Sequence, residues 1–586
     1  MPSLPHPHPH PHLHPHPGLK LALLLCITGS AALGAFGASC SSENPAETSS
    51  GTPGGSGGGA GVGGSGGAGG TGGSMSTGTQ TTFADFPGDA QIEQGLPVEI
   101  PSLFEGAQGS DTGGPCLAEP PLEALVPSNW TPLRFEWTPP AGHNVIEMRL
   151  SVDNQVNDLV IYTTQPVYTI PSAIWQQLVL HSAGLDVRVT VRSAKLENGA
   201  ITEGPFVGAD GVVHIAPVPA PGSIVYWTSS SGTALKGFSI GEEQVTTVLT
   251  PPMMGDGATT CIGCHTSSPD GLLAFVSRNT TGDPSRAVAA RKADGTAAMP
   301  TMQEISPVAI ELLTRPMQAV PALSGAHYSA TDAVAITVFY DAAVTGGRGE
   351  LAWTDLHATD PAAGWGLLQR AGDPRQAHSP TWWHDGSTIA YTSAPIGYSG
   401  VISMVSAEDP TMDIYTVPYN NRAGGNATPL PGASDPGYWE FYPVISPEDR
   451  LLAFSRTVPV AGGDSYDEPT AEVAVVPAKG GTAVRIEGND PPACVNRPSP
   501  GITNSWPRWA PSVATAGGKR YYWLTFSSKR RPLGNPQLFV SGVVTSEVNG
   551  VETIERTYPA IYVTSQPPEE NNHTPAWDVF QIEPPQ

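Results

Sequence analysis

Between residues 378 and 393 the sequence reads His378-Ser-Pro-Thr-Trp-Trp-His-Asp-Gly-Ser-Thr-Ile-Ala-Tyr-Thr-Ser393. Two other segments share its order of a polar start, an acidic turn and an apolar strand that ends in Ser. They read Cys264-His-Thr-Ser-Ser-Pro-Asp-Gly-Leu-Leu-Ala-Phe-Val-Ser277 and Tyr442-Pro-Val-Ile-Ser-Pro-Glu-Asp-Arg-Leu-Leu-Ala-Phe-Ser455. Self-similarity of this kind is typical of repeat architectures. Each copy predicts one strand-turn-strand unit of a repeated β-structure.

Weaker copies of the pattern begin at His327, Trp506 and His573, so that successive copies are about 50 to 67 residues apart. This spacing suits a four-stranded propeller blade with loop insertions. The last copy ends just after Trp577, and its blade must be completed by another segment. We expect Ser223–Thr228 to close it, because ring closure buries sheet edges that would otherwise be exposed. Residues 218–586 are therefore expected to form a β-propeller of about six blades.

The Ser-Pro-Asp-Gly turn followed by an Ala-Phe-x-Ser strand resembles the propeller repeats of TolB-type proteins, over roughly residues 222 to 580. In that family Pro-Asp-Gly forms a tight turn between strands. The resemblance thus implies that Asp270, Gly271, Asp385 and Gly386 are turn residues and not catalytic ones.

An earlier segment, residues 97–217, alternates apolar and polar residues in the manner of strands. Its strand Phe135-Glu-Trp137, followed by a Pro-Pro turn, and its later strand Val187-Arg-Val-Thr-Val-Arg192 resemble a fibronectin type III or immunoglobulin-like module. We expect a β-sandwich that acts as a spacer or a binding module. Trp130, Trp137 and Trp175 are expected in its core.

The N-terminus reads as an export signal over residues 1–40. A His-Pro run precedes Lys20, an apolar segment from Leu21 to Ile27, and small residues that end in Gly37-Ala-Ser-Cys40. This ending resembles a bacterial lipobox, with Gly37 where that family usually has an aliphatic residue, and it implies lipidation of Cys40. Residues 41–96, rich in Gly and Ser, predict a flexible tether. We expect an exported, lipid-anchored protein of the periplasm or outer membrane of a Gram-negative bacterium.

One motif carries chemistry: Cys261-Ile-Gly-Cys264-His265 is a complete CxxCH. In the c-type haem attachment signature, two thiols form thioethers with the haem and the adjoining His is an axial iron ligand. The motif therefore predicts one haem c, held by Cys261, Cys264 and His265. Zinc is disfavoured, because no second Cys or His pair with ligand spacing follows.

The second axial ligand is expected to be His327 or His378, with His573, Met253 and Met254 as further candidates. This expectation treats His265, His327, His378 and His573 as equivalent residues that begin successive repeats and line one mouth of the propeller channel. The competing interpretation is structural: Cys261 and Cys264 would form a disulfide or remain a thiol pair, and His265 would be a repeat residue.

Composition limits the function classes. The formal net charge of −25, with only 28 Lys and Arg, argues against a nucleic-acid partner. The distant Cys116 and Cys494 are candidates for a disulfide between the two folded units. We find no GxSxG elbow, HExxH motif or phosphate-binding Gly loop, since the Gly-rich stretches lie in the tether, and hence no support for a hydrolase.

Three functions remain open from the sequence. The first is an envelope lipoprotein whose haem serves electron transfer or redox chemistry with a protein partner. The second is a non-enzymatic binding platform for a protein or ligand. The third is an enzyme without haem, whose site lies at the histidine-lined mouth.

Overall fold

The computed structural model describes residues 85–230, 232–255, 257, 259–271, 274–280, 283–291, 305–314, 320–395, 411–459, 467–580 and 582. For Cys264, Ala342, residues 274–280 and residues 283–291 it describes the backbone alone. The signal segment, Cys40 and the Gly-rich tether up to residue 84 lie outside the described residues.

The N-terminal unit consists of two sheets and two helices. Its elements are β1 (Gln91–Ile92), α1 (Ile100–Gly106), β2 (Cys116–Glu119), β3 (Leu125–Val126), β4 (Arg134–Thr138), β5 (Val145–Ser151), β6 (Leu159–Thr163), β7 (Val167–Thr169), α2 (Ser172–Ser182), β8 (Asp186–Glu197) and β9 (Ala200–Ile215). One sheet has the order β1-β6-β5-β8-β9-β3, and the other has the order β2-β4-β7.

Alternation explains why these segments form strands with one buried face. In β8, Val187, Val189 and Val191 are buried while the residues between them are more exposed. Trp130, Trp137 and Trp175 are buried as expected, although Trp175 lies in helix α2, which the strand pattern did not predict. Both sheets contribute to one hydrophobic core.

The C-terminal unit is almost entirely β-structure. Its first half contains β10 (Ser223–Thr228), β11 (Ala234–Ser239), β12 (Thr246–Leu249), β13 (Thr259–Ser267), β14 (Ala274–Thr280), β15 (Asp283–Arg291), α3 (Pro307–Leu313), β16 (Val334–Phe339), α4 (Ala342–Thr345), β17 (Glu350–Asp355), β18 (Trp365–Leu367) and β19 (Gln369–Ala371).

Its second half contains β20 (Gln376–Trp382), β21 (Thr388–Ala394), β22 (Asp413–Pro418), β23 (Gly424–Asn426), β24 (Thr428–Pro429), β25 (Trp439–Ile445), β26 (Leu451–Thr457), β27 (Glu472–Pro477), β28 (Val484–Arg485), β29 (Asn504–Trp509), β30 (Ala514–Ala516), β31 (Lys519–Ser528), β32 (Gln537–Val548), β33 (Val551–Thr557), β34 (Ile561–Tyr562) and β35 (Asn572–Asp578).

These strands form a β-propeller. Within the described residues, six sheets are antiparallel meanders: β35-β10-β11-β12, β13-β14-β15, β16-β17-β18, β20-β21-β22-β24, β25-β26-β27-β28, and β29-β31-β32-β33 with β30 and β34 at its sides. In addition, β19 and β23 form a short parallel pair of their own. The strand β10 pairs with the C-terminal β35, with Ile224 opposite Trp577, so the beginning of the propeller completes its last blade.

Tight turns join the first two strands of three blades. The N–H of Gly271 donates to the carbonyl of Ser268 at 2.9 Å, and the N–H of Gly386 donates to that of Trp383 at 3.0 Å. Both glycines have positive φ, 68° and 75°. The turn glycines thus occupy a conformation that other residues rarely adopt. In the third copy Asp449 takes this place with φ 53°.

Candidate functional site: the CxxCH blade and the interface between the two units

The strands that open the blades share a β-bulge. In β20, β25, β29 and β35 the ladder skips two residues, and the first of them has a positive φ and precedes a proline. The four pairs are Ser379-Pro380, Tyr442-Pro443, Trp506-Pro507 and Thr574-Pro575. Proline lacks an N–H for the ladder and is tolerated at a bulge, so the repeated proline marks a repeated break in pairing.

The CxxCH motif occupies the corresponding two-residue skip in β13, although Gly263 does not share the positive φ of the other four. Here the ladder breaks between Ile262 and His265, which places Gly263 and Cys264 at the bulge. Cys264 therefore stands where the other four blades have proline. The chemical motif is built into a repeated structural position and replaces its usual residue.

This register corrects the predicted equivalence of the histidines. His378 and His573 each directly precede the bulge, where the CxxCH blade has Ile262. His265 directly follows it, three positions later along the strand. His327 is not in such a strand, because it ends the short 3-10 helix Gly325–His327. The four histidines are therefore not one ring of equivalent residues.

His265 is buried and held in a neutral state. Its Nε2 lies 3.0 Å from the carbonyl oxygen of Val225 in the neighbouring blade. Its Nδ1 is buried and makes no hydrogen bond of ordinary geometry, although the backbone of Gly263 lies close enough to favour the protonated ring. Burial lowers the pKa of His265 to about 4, and the positive charge of Arg508 acts in the same direction. The ring is therefore uncharged at neutral pH, with Nε2–H as the donor to Val225 and a free lone pair on Nδ1.

Cys261 lies beside this histidine in the same strand and is only 3% exposed. Its sulfur is part of a disulfide bond. The next residue, Ile262, donates its N–H to Thr233 Oγ1 at 2.8 Å and packs among Val225, Trp227 and Met254. The side chain of Cys264 lies outside the described part of the structure.

His573 lies close enough to His265 for their charges to interact. Burial lowers the pKa of His573 to about 3, with further contributions from the charges of Lys529 and His265. Its ring packs edge-on against Trp227, with 4.5 Å between centroids. Its Nε2 lies 3.4 Å from Ser229 Oγ.

The two histidines ranked first as axial ligands have other partners. His378 Nδ1 lies 2.8 Å from the hydroxyl of Tyr340. His327 stacks on Trp382 at 4.7 Å, and its Nδ1 lies 3.5 Å from the Asp332 carboxylate. Trp382 is four residues beyond His378 in β20, roughly 13 Å along an extended strand. His327 and His378 therefore lie near opposite ends of β20.

The chemical types of these donor atoms suit a c-type haem. A buried neutral imidazole with an unsatisfied nitrogen is a suitable metal ligand, and its other N–H is oriented by a backbone carbonyl, as is usual for metal-bound histidine. The sulfur of Cys261 supplies a thioether only when it is reduced. Among the described residues, no group of three or more His, Cys, Asp or Glu side chains is placed to hold a metal ion.

A second feature, the interface between the two units, was only partly anticipated from the sequence. Cys116 and Cys494 form a disulfide with Cα atoms 5.5 Å apart, which links β2 to a loop of the propeller. Arg531 donates to Glu136 at 2.9 Å, and Arg556 donates to Glu123 at 2.8 Å. One hydrophobic core spans both units and contains residues from each.

Glu119 is the most deeply buried acid of this interface. Its Oε2 accepts the N–H of Tyr562 at 3.2 Å. Burial raises the pKa of Glu119 to about 8, although the charges of Arg531 and Arg530 oppose the shift. The carboxyl group is therefore mostly protonated at neutral pH.

A cleft of about 370 Å³ opens beside the disulfide, between the two units. Its lining includes Leu117 and Leu122 from the N-terminal unit and Glu487, Pro492 and Cys494 from the propeller. The sequence offered no signal for it, because its two walls come from segments more than 270 residues apart.

No helix among the described residues combines the length and the apolar character needed to cross a bilayer.

No family model and no curated protein matches this chain. Among solved structures, hydrazine synthase of Kuenenia stuttgartiensis is 11% identical with a TM-score of 0.35, and the match covers 61% of this chain and 46% of that one. An oligogalacturonate lyase in complex with manganese is 14% identical with a TM-score of 0.28, covering 58% of this chain and 75% of that one.

The β-propeller domain of the trilobed protease from Pyrococcus furiosus is 7% identical with a TM-score of 0.23, covering 55% of this chain and 99% of that one. This chain spans about half the length of the first two solved structures it matches, the hydrazine synthase (46%) and a prolyl endopeptidase (48%). Similarities this distant assign no activity. The paired strands themselves establish that the C-terminal unit is a β-propeller.

Proposed function

We propose that this protein is an exported, lipid-anchored β-propeller that carries one covalently attached c-type haem on Cys261, Cys264 and His265. Such a group supplies one-electron redox chemistry when bound. The protein would then exchange electrons with a partner in the cell envelope or perform a redox reaction there.

The observation that carries this proposal is the replacement of proline at the bulge. Four blades have a proline at this position, while the fifth has Cys264 followed directly by His265. Among the five described blade-opening strands with this two-residue skip, β13 is the one without proline there, and its residues complete a haem attachment motif. The buried, neutral His265 supports the same interpretation, because its Nδ1 makes no hydrogen bond of ordinary geometry and only the backbone of Gly263 lies near it.

A second candidate function, a binding platform without haem, is favoured by the disulfide at Cys261. A sulfur in a disulfide has no thiol to add to a haem vinyl group, so the two chemical states of the motif exclude each other. In this alternative the disulfide stabilises the bulge. The propeller and its N-terminal unit then present surfaces that bind a protein or a ligand.

The remaining features of the proposal rest on the sequence. We propose a TolB-type propeller and a fibronectin III-like N-terminal unit, on the repeats and strand motifs described above. Export to the envelope of a Gram-negative bacterium and lipidation of Cys40 rest on the signal segment and the Gly-rich tether. A Cys40→Ser variant should lose incorporation of labelled palmitate, and retained label would contradict the anchor.

The test of the haem is a reduced pyridine haemochrome spectrum of protein exported by a host with the haem c maturation machinery. We expect a haem c band near one haem per chain in the wild type. In Cys261→Ala and Cys264→Ala the band should fall sharply, because each variant lacks one thioether.

Cys116→Ala serves as the control, since it also removes a cysteine but lies outside the motif and should keep the band. Absence of the band from correctly exported wild-type protein would exclude the haem and favour the binding platform. Intact mass under non-reducing conditions would then show whether Cys261 remains in a disulfide.

A further inference from the structure

The cleft between the two units has a construction suited to a ligand. Its volume of about 370 Å³ is within the range of small-molecule sites, which occur preferentially where two domains meet. Leu117 and Leu122 form part of one wall, and the loop that contains Pro491 and Pro492 forms part of the other.

The walls are fixed in advance of binding. The Cys116–Cys494 disulfide ties the end of the proline-containing loop to the strand that carries Leu117. Prolines restrict the backbone of that loop, and its preceding turn is held by the N–H of Asp490 donating to the carbonyl of Glu487 at 3.0 Å. A rigid apolar cleft loses little entropy on binding.

The charge of the cleft is carried by Glu487. Its neighbour Asp490 is engaged by Arg485, whose two Nη atoms lie 2.5 and 2.7 Å from the carboxylate oxygens. The nearby Arg556 is engaged by Glu123 at 2.8 Å. The carboxylate of Glu487 makes no hydrogen bond or ion pair with any residue that the structure describes.

The carboxylate of Glu487 is exposed at the cleft and has no partner among the described residues, so it is available to an incoming cation. Burial raises the pKa of Glu487, and the carboxylates of Glu123 and Asp490 add to the shift while Arg556 opposes it. A positively charged ligand group would offset this shift by forming a charge-assisted hydrogen bond with Glu487.

We infer that the interface cleft binds a small organic cation, an ammonium group attached to an apolar body, with the ammonium at Glu487 and the body against Leu117, Leu122 and the prolines. This site is independent of the haem motif. Its presence or absence therefore says nothing about the haem.

The test compares 4-phenylbutylamine with 4-phenylbutan-1-ol by titration calorimetry on the full exported protein at pH 7. The two probes share length and shape, and only the amine carries a charge. We expect the amine to bind with measurable heat and the alcohol to bind at least about tenfold more weakly. In Glu487→Gln, which preserves the shape of the side chain, the amine should lose about tenfold in affinity.

Glu242→Gln is the matched control, because Glu242 is an exposed carboxylate in a turn of the propeller. It should bind the amine as the wild type does. Leu122→Trp, which adds bulk to the cleft wall, should abolish binding of both probes, and thermal melts confirm that each variant is folded. Equal binding of amine and alcohol, or full amine binding by Glu487→Gln, would overturn the inference.

Discussion

Glu440 is an acid that the propeller keeps in its uncharged form. The side chain is 1% exposed in β25, its Oε1 accepts the N–H of Asp435 at 3.0 Å, and its Oε2 is buried without a partner. Burial raises the pKa of Glu440 to about 8, and the charges of Asp413 and Asp435 contribute in the same direction. Ionising it would place a carboxylate among other acids in a region that excludes water.

This carboxyl group should make the protein less stable as the pH rises. In the unfolded chain the group ionises near the ordinary glutamate pKa of 4.5, whereas in the folded chain it keeps its proton up to about pH 8. Between these values the folded state binds more protons, so the free energy of unfolding falls with rising pH. We expect a contribution on the order of a few kcal/mol across this window, measured by denaturant unfolding at pH 5 and pH 8.

Glu440→Gln isolates this contribution, because the amide is neutral at every pH in the window. The variant should show a smaller loss of stability between pH 5 and pH 8 than the wild type. Glu242→Gln, at an exposed position, should leave the slope unchanged. A slope as steep in Glu440→Gln as in the wild type would show that Glu440 is ionised in the folded protein.

At the scale of elements, local patterns predicted the strands and turns well. The Pro-Asp-Gly turns and the pairing of Ser223–Thr228 with the last repeat were anticipated, because turn residues and alternation are read along one segment. The register at His265 was not anticipated. A bulge is defined by the partner strand, here β14, and aligning the repeats by their histidines displaced His265 by three positions relative to His378 and His573.

Strand β10 is the element on which closure of the propeller depends. Val225 is fully buried, pairs with Gly237 on one side and Ala576 on the other, and its carbonyl accepts from His265. We expect Val225→Pro to lower the free energy of unfolding by about 3 kcal/mol or more, because proline has no N–H to donate in a strand that is paired on both sides. Chemical denaturation of the purified protein measures the loss.

Val551→Pro provides the comparison for the same substitution at an edge. Val551 is 62% exposed and begins β33, the outer strand of its blade. Its loss should be roughly 1 kcal/mol or less. Similar losses in the two variants would mean that the junction of β10 with β35 contributes little to holding the ring.

At the scale of the whole molecule, the arrangement of the two units could not be predicted from the sequence. Cys116 and Cys494 could be named as candidates, but their 378-residue separation gave no geometric reason to pair them. The buried Glu119 and the cleft at Glu487 likewise depend on surfaces that meet only after both units fold. Local periodicity contains no information about which distant faces come together.

The Cys116–Cys494 disulfide should contribute to stability through the unfolded state. Closing a loop of this length removes many conformations from the unfolded chain, so its loss should lower the free energy of unfolding by roughly 2–4 kcal/mol. The test is the double variant Cys116→Ala/Cys494→Ala, which leaves no free thiol at either position. Reductant is a poorer test, because it would also reduce the disulfide at Cys261.

The shared core and the Arg531–Glu136 and Arg556–Glu123 pairs should keep the two units together in the double variant, with unchanged strand content by circular dichroism. A melting temperature equal to that of the wild type would show that these contacts alone hold the interface.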